Sequence, residues 1–192
     1  LIFFRFENPT AGVWRIRVFN SLYLNGRYHI WLPVESFCKP ETIFLRPTPD
    51  TTITNPGNAR FPITISAYNH VDGSIYIHSS RGFTINERIK PDLAAPGVDV
   101  YGPTVSPVPD NNSDMPMTRK SGSSVSAAHA AGAIANLVSW GLIAGNDMTM
   151  SDASIRGYLV RGAGRTPGYE YPNKEFGYGT LNLYQSFLDL RE

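Results

Sequence analysis

Four serines and a histidine crowd into Ser121-Gly122-Ser123-Ser124-Val125-Ser126-Ala127-Ala128-His129-Ala130-Ala131-Gly132. The alanines that follow predict a helix from Ser123 to about Trp140, stopped by Gly141. A serine in the first turn of a helix is suited to acyl transfer. The first backbone N–H groups lack helical partners, and the positive end of the helix dipole points at them. Together they can hold a developing oxyanion. Gly122 allows a sharp turn and close approach of a substrate. On its own, an N-cap serine before an Ala-rich helix is the more ordinary explanation of such a segment. The pattern G-x-S-x-G is not formed, because Ser126 stands at the second glycine position; this argues against an α/β-hydrolase nucleophile elbow.

Two further segments change that reading. Lys90-Pro91-Asp92-Leu93-Ala94-Ala95-Pro96-Gly97 lies upstream, and Phe176-Gly177-Tyr178-Gly179-Thr180-Leu181-Asn182 lies downstream. The ordered trio resembles the subtilisin-like serine proteases (subtilases, peptidase S8), over about residues 51–192. The resemblance implies that Ser124 is the nucleophile and its N–H an oxyanion donor, with Ser121, Gly122 and Ser123 around the substrate and oxyanion. It implies that His129 is not a base and that Asp92 is structural. Two positions depart from the family pattern. Ser123 replaces a Thr but keeps the hydroxyl, and Ala128 replaces a Pro.

The same family places an Asp in D-[ST]-G and a His in G-H-G-T, ahead of the Ser. Neither segment occurs here, and His29, His70, His78 and His129 all sit in other contexts. The base, its carboxylate and an oxyanion Asn are therefore expected from a segment upstream of Leu1. Asn58 after Gly57, and His70 or His78 as an unrelated local base, are the weaker alternatives. Arg119 and Lys120 precede the serine in a loop, from Met115 to Ser121, that would line the cleft.

The elements that must position the serine divide by composition. Residues 1–93 hold three alanines, and residues 94–192 hold eleven. In the first part, Leu1–Phe6, Val13–Phe19, Arg27–Leu32 and Thr42–Leu45 read as strands, with a hairpin signal at Asn25-Gly26. Arg15 and Arg17 fall on the solvated face of one of them. Asn8-Pro9-Thr10-Ala11-Gly12-Val13-Trp14-Arg15-Ile16-Arg17-Val18 is similar to jelly-roll domains attached to subtilases. Trp31-Leu32-Pro33, Phe44-Leu45-Arg46-Pro47 and Ile65-Ser66-Ala67-Tyr68-Asn69 look like the clostridial Csp-type subgroup, whose members act in spore germination and include pseudoproteases. The expected fold class is α/β. Residues 1–50 would be the end of an inserted jelly-roll β domain. Residues 51–192 would be the C-terminal half of a three-layer, parallel-sheet catalytic domain.

After a Pro-containing linker from 47 to 58, strands are predicted at Phe61–Tyr68 and Ser74–His78, separated by a turn at Asp72-Gly73. Residues 90–100 read as a loop entering a strand, and residues 101–121 as a polar surface loop. Helices are predicted at Asp152–Arg161, with Thr149 and Asp152 at capping-box spacing, and at Leu183–Leu190. The first helix, with small residues all round its axis, is expected to be buried on every side. Tyr169 and Tyr171 are expected to pack in the C-terminal segment.

Composition excludes several function classes. The formal charge is +1, from 17 basic and 16 acidic residues with no basic block, which disfavours nucleic acid or a membrane surface as partner. No run of eighteen apolar residues occurs. The lone Cys38 forms no internal disulfide, and no HExxH, CxxC or acidic calcium loop is present, so neither cofactor nor metal is expected. The expected partners are a protein or peptide substrate and the Asp/His-bearing part of the same protease, with a prodomain as a further candidate. The apolar, Met-less start reads as a cut end inside a strand, and no signal peptide is visible. A bacterial, intracellular or spore-associated setting is expected. Set against the endopeptidase reading are a pseudoprotease that senses or scaffolds, and a jelly-roll binding module.

Overall fold

The computed structural model describes residues 2–19, 28–33, 37–104 and 117–190. The chain divides into two compact units, Leu1–Pro47 and Thr48–Glu192.

Among the described residues of the first unit no strand ladder forms. The strands expected at 1–6, 13–19, 27–32 and 42–45 carry no ladder among the described residues. The Asn25-Gly26 turn lies outside the described residues. Val13, Trp14, Ile16 and Val18 are all at least half exposed, so the alternating pattern buries neither face. The physical reason is that a lone strand satisfies neither its backbone nor its apolar face. Local contacts remain: the Trp14 indole donates to the Thr10 carbonyl at 3.0 Å and packs on Phe6.

The second unit is an α/β arrangement built on parallel strands. Strand β1 (Ile65–Tyr68) pairs in parallel with β2 (Leu93–Pro96), in the register Ile65 to Leu93 through Tyr68 to Pro96. A third segment joins alongside β2: Ala94 N–H donates to the Gly179 carbonyl, and Leu181 N–H donates to the Ala94 carbonyl. Ser66, Ala67 and Leu93–Ala95 are buried, as expected of strands covered on both faces. Strand β1 is shorter than predicted. The return strand at 74–78 reduces to one bridge, Tyr68 to Ile75, around the Asp72-Gly73 turn. There Asp72 accepts from the Ser74 hydroxyl and N–H, and these bonds hold its carboxyl below the ordinary range.

The residues read as a polar loop contain a second ladder. β3 (Val100–Pro103) pairs antiparallel with β4 (Met117–Lys120). Long-range pairing overrides the turn-rich composition of the stretch; residues 105–116 lie outside the described set.

Helix α1 runs Ser123–Val138 and continues through a wide π-type turn, Ser139–Ile143. Gly141 does not stop it. The end of the Met150 side chain packs against it, 2.2 Å from where a Cβ would stand. The buried face of α1 is Ser126, Ala130, Ala133 and Leu137, one stripe at helical spacing. Ala127, Ala128, Ala131, Gly132 and Ala135 on the other side are exposed, which corrects the expectation of burial all round. No element among the described residues covers that side. The span Ser123–Ile143 is long and apolar enough to cross a membrane by length and composition alone. Here, however, it packs on β1 and β2.

Helices α2 (Asp152–Arg161) and α3 (Leu183–Asp189) complete the unit. Leu93, Leu137, Leu159 and Ala163 form the core, with Ile65, Ile155 and Phe187 packed around it. The cap of α2 is not the expected Thr149–Asp152 pair. Ser151 is the N-cap, in a reciprocal capping box with Ser154, because the helix begins two residues later than that pair requires. Thr149 instead donates to Asp147, which also accepts from the Tyr158 hydroxyl at 2.8 Å.

The Tyr158 bond is the main cause holding the Asp147 carboxyl below its ordinary 3.8. A depressed folded-state pKa adds stability that is present above the unfolded pKa and lost as pH falls through the folded one. Tyr158→Phe should therefore move the Asp147 titration midpoint up toward the ordinary value. Side-chain carboxyl NMR would read this, and an unmoved midpoint would refute the assignment.

Candidate active site

Ser124 is placed by a relay of backbone bonds at the carboxyl ends of the parallel strands. Gly97 N–H, just past β2, donates to the Tyr68 carbonyl at the end of β1 at 2.9 Å. Gly122 N–H donates in turn to the Gly97 carbonyl at 2.8 Å. From below, the fully buried Ser126 hydroxyl reaches the carbonyls of Ala95 and Pro96 at 2.9 and 3.1 Å. The first turn of α1 is thus clamped to the sheet two residues past Ser124. Gly122 has φ +155° and ψ 155°, a conformation that L side chains seldom adopt. In open α/β sheets this edge is where ligands sit.

Gly97 leaves no room for a side chain. A Cβ there would lie 2.2 Å from Ser126 Oγ and 2.7 Å from Ala67 Cβ. Gly97→Ala should destabilise the protein by about 1–3 kcal/mol through overpacking, read as a lower urea midpoint. A variant as stable as the parent would show that this clamp is not rigid.

The Ser124 side chain is exposed, and among the described residues nothing hydrogen-bonds its hydroxyl. Val125 N–H turns back to the Gly122 carbonyl at 3.0 Å. The N–H groups of Ser123 and Ser124 find no acceptor among the described residues. The first turn carries no acidic residue, so nothing there neutralises the helix dipole. Hydroxyl and unpaired N–H groups therefore share one exposed helix end. Ser123 borders a shallow cleft, and Ser121 Oγ accepts from Asp99 N–H at 2.8 Å.

The other candidates are not gathered at Ser124. His129 Nδ1 lies 3.0 Å from the Val125 carbonyl, a local helix contact. His70 is exposed, and His78 meets the Tyr76 ring edge-on. Asn58 closes a turn, its N–H on the Thr54 carbonyl and its own carbonyl taken by Arg88. Arg119 is on β4, in an exposed ion pair with Asp99. Among the described residues no histidine or carboxylate reaches Ser124, and no group of three or more His, Cys, Asp or Glu could hold a metal.

Asp92 immediately precedes β2. Its Oδ2 accepts from Lys90 Nζ at 2.6 Å and from Thr64 N–H at 2.6 Å. Lys90 and Asp92 are each 3% exposed. Arg156 on α2 brings its Nε to 3.2 Å from Asp92 Oδ1. That contact is out of line for a hydrogen bond, and Nε is left without one. Its Nη2 donates to the carbonyls of Arg60, Phe61 and Pro62. Sequence reasoning missed Arg156. The one available signal was an arginine on a helix following a buried-acid motif.

A serine with a free hydroxyl stands at a helix start clamped to the carboxyl edge of a parallel sheet, in an α/β protein. Residues 45–179 match the subtilase family, and the chain belongs to that family. Among solved structures it is similar to the CspB protease of Clostridium perfringens, at TM-score 0.70 and 33% identity, over 79% of this chain and 31% of that one. The prenylagaramide maturation protease PagA shares the fold at TM-score 0.56 and 20% identity, over 74% of this chain and 47% of that chain. So does fervidolysin of Fervidobacterium pennivorans, at 0.55 and 19%, over 70% and 20%. Comparison with curated proteins yields no match. The chain thus spans about a third of the CspB protease.

Proposed function

We propose that this chain carries the nucleophile of a Csp-like serine endopeptidase. The observation that supports it best is the exposed, unpartnered Ser124 hydroxyl beside two N–H groups without acceptors. In this reading Ser124 Oγ attacks a peptide carbonyl while its proton passes to a histidine base. The tetrahedral oxyanion rests on the Ser124 N–H. The C–N bond then breaks, the base protonates the leaving amine, and water hydrolyses the acyl-enzyme by the same route. The histidine, its aspartate and an oxyanion asparagine come from the upstream part of the same protease. Gly122 lets the substrate backbone approach, and the near-neutral charge suits a peptide held by main-chain contacts.

Fluorophosphonate labelling of the full-length protein tests this. Labelling of the parent and none in Ser124→Ala is expected. Absence of labelling in the parent, with no upstream histidine, would replace the reading by a pseudoprotease.

A further inference from the structure

The ladder of β3 and β4 ends where the chain turns into α1. Val100 pairs with Lys120. The residues next outward, Asp99 and Ser121, are joined by a side chain: the Asp99 N–H donates to the Ser121 hydroxyl oxygen at 2.8 Å. Asp99 holds φ +52°, in the left-handed region that aspartate tolerates and a β-branched residue resists. Backbone held in that region gathers at functional sites, where the surroundings over-determine it. Both residues are exposed, so the bond between them is no part of the core. The Asp99 carboxylate reaches Arg119 on β4, an exposed ion pair that contributes little by itself. Ser124 lies three residues past Ser121, beyond Gly122 with its φ of +155°. A glycine supplies no stiffness of its own, so the entry to α1 is only as rigid as its outside ties. Gly97 holds the Gly122 N–H, and Val125 holds the Gly122 carbonyl. On the Ser121 side, the Asp99 N–H is the one hydrogen-bond partner of the hydroxyl among the described residues.

We infer that Asp99 is a positioning residue: acting through Ser121 and Gly122, it fixes the direction of the Ser124 N–H for the oxyanion. The inference rests on Ser124 as nucleophile. A donor stabilises a developing charge most when it is already aimed, because nothing then has to reorganise as the charge forms. A helix start free to swing at Gly122 would still bind substrate, whose carbonyl carries no full charge. It would meet the oxyanion out of line, so the loss falls on kcat and not on KM.

The test uses the full-length protease, with active enzyme counted by fluorophosphonate titration so that unfolded protein does not enter the rates. It measures kcat and KM for one peptide, and the affinity of the matching peptide aldehyde, which forms a tetrahedral adduct on the serine. Ser121→Ala should lower kcat about five- to tenfold with KM unchanged, the effect of one lost hydrogen bond. The aldehyde should weaken by about the same factor, as a transition-state analogue. Asp99→Val should do the same from the other end of the bond, because valine resists the left-handed backbone. Ser121→Thr keeps the hydroxyl and Asp99→Asn keeps the left-handed preference, so both should stay within about twofold of the parent. The Ser121→Ala, Asp99→Val double variant should lose no more than either single one, since both break one bond. The inference is overturned if neither Ser121→Ala nor Asp99→Val moves kcat by more than about twofold. A loss that lies in KM with aldehyde affinity unmoved overturns it, as does a loss that Ser121→Thr and Asp99→Asn share. A parent that takes no fluorophosphonate overturns the proposed nucleophile and this inference with it. A labelled parent with unmoved variants overturns this inference alone.

Discussion

Replacing Ser124 by alanine should lower kcat of the full-length protease by on the order of 10^6-fold with KM little changed, the order of loss established for the nucleophile of subtilisin. That corresponds to about 8 kcal/mol of transition-state stabilisation. The loss is large because Oγ supplies the bond that forms. It falls on kcat because the hydroxyl has no ground-state partner among the described residues to give up. Residual turnover should persist at about 10^3–10^4 over water, from the N–H groups at the helix start and from substrate binding. The neighbouring serine makes the control. Ser126→Ala removes a buried hydroxyl held by Ala95 and Pro96 and should act on stability, by about 1 kcal/mol. Steady-state kinetics beside urea unfolding separates the two. A Ser124→Ala enzyme within tenfold of the parent would exclude Ser124 as nucleophile.

The second large effect is expected at Asp92. Asp92→Ala should destabilise the intact protein by about 3–5 kcal/mol, the range for breaking a buried ion pair by removing one partner. The carboxylate is the only anion that touches Lys90 and Arg156 among the described residues. Without it, the buried Lys90 ammonium keeps only the Pro62 carbonyl. Thr64 N–H loses its acceptor as well. Asp92→Asn should cost less, because an amide oxygen can still accept from Thr64. Adding Lys90→Met to the alanine variant should recover part of the loss, since the cause is an unpaired charge and not a missing contact. A loss under 1 kcal/mol for Asp92→Ala would mean that water reaches the pair. The effect should be on folding and not on the scissile bond, because Asp92 stands at the start of β2 while the helix carrying Ser124 is clamped at its end.

Much of this protein is legible along the chain. The serine segment, Lys90-Pro91-Asp92 and the Gly177-Tyr178-Gly179 turn are contiguous motifs, so spacing alone carries the family likeness. Helix α2 is predicted with the bounds it adopts, and α3 to within a residue, because their apolar periodicity and polar ends are local. Strand β1 is overestimated. Only Ile65–Tyr68 lies against β2, and a strand's length is set by its partner.

What tertiary structure decided is non-local. Helix α1 has small residues on every side, so its sequence does not choose a buried face; the Ser126 hydroxyl meeting Ala95 and Pro96 does. The β3–β4 pair arises within a stretch whose proline and polar content reads as loop, because pairing between residues as far apart as Val100 and Lys120 leaves no local trace. The expected strands of the first unit keep their alternation but form no ladder among the described residues, since alternation states which side could be buried and not what would bury it. The sequence by itself determined the serine-segment motif, the family and the bounds of α2. The tertiary structure decided which serine is exposed and which is buried, and which arginine faces Asp92. Those outcomes depend on contacts between distant segments, and composition and periodicity do not encode them.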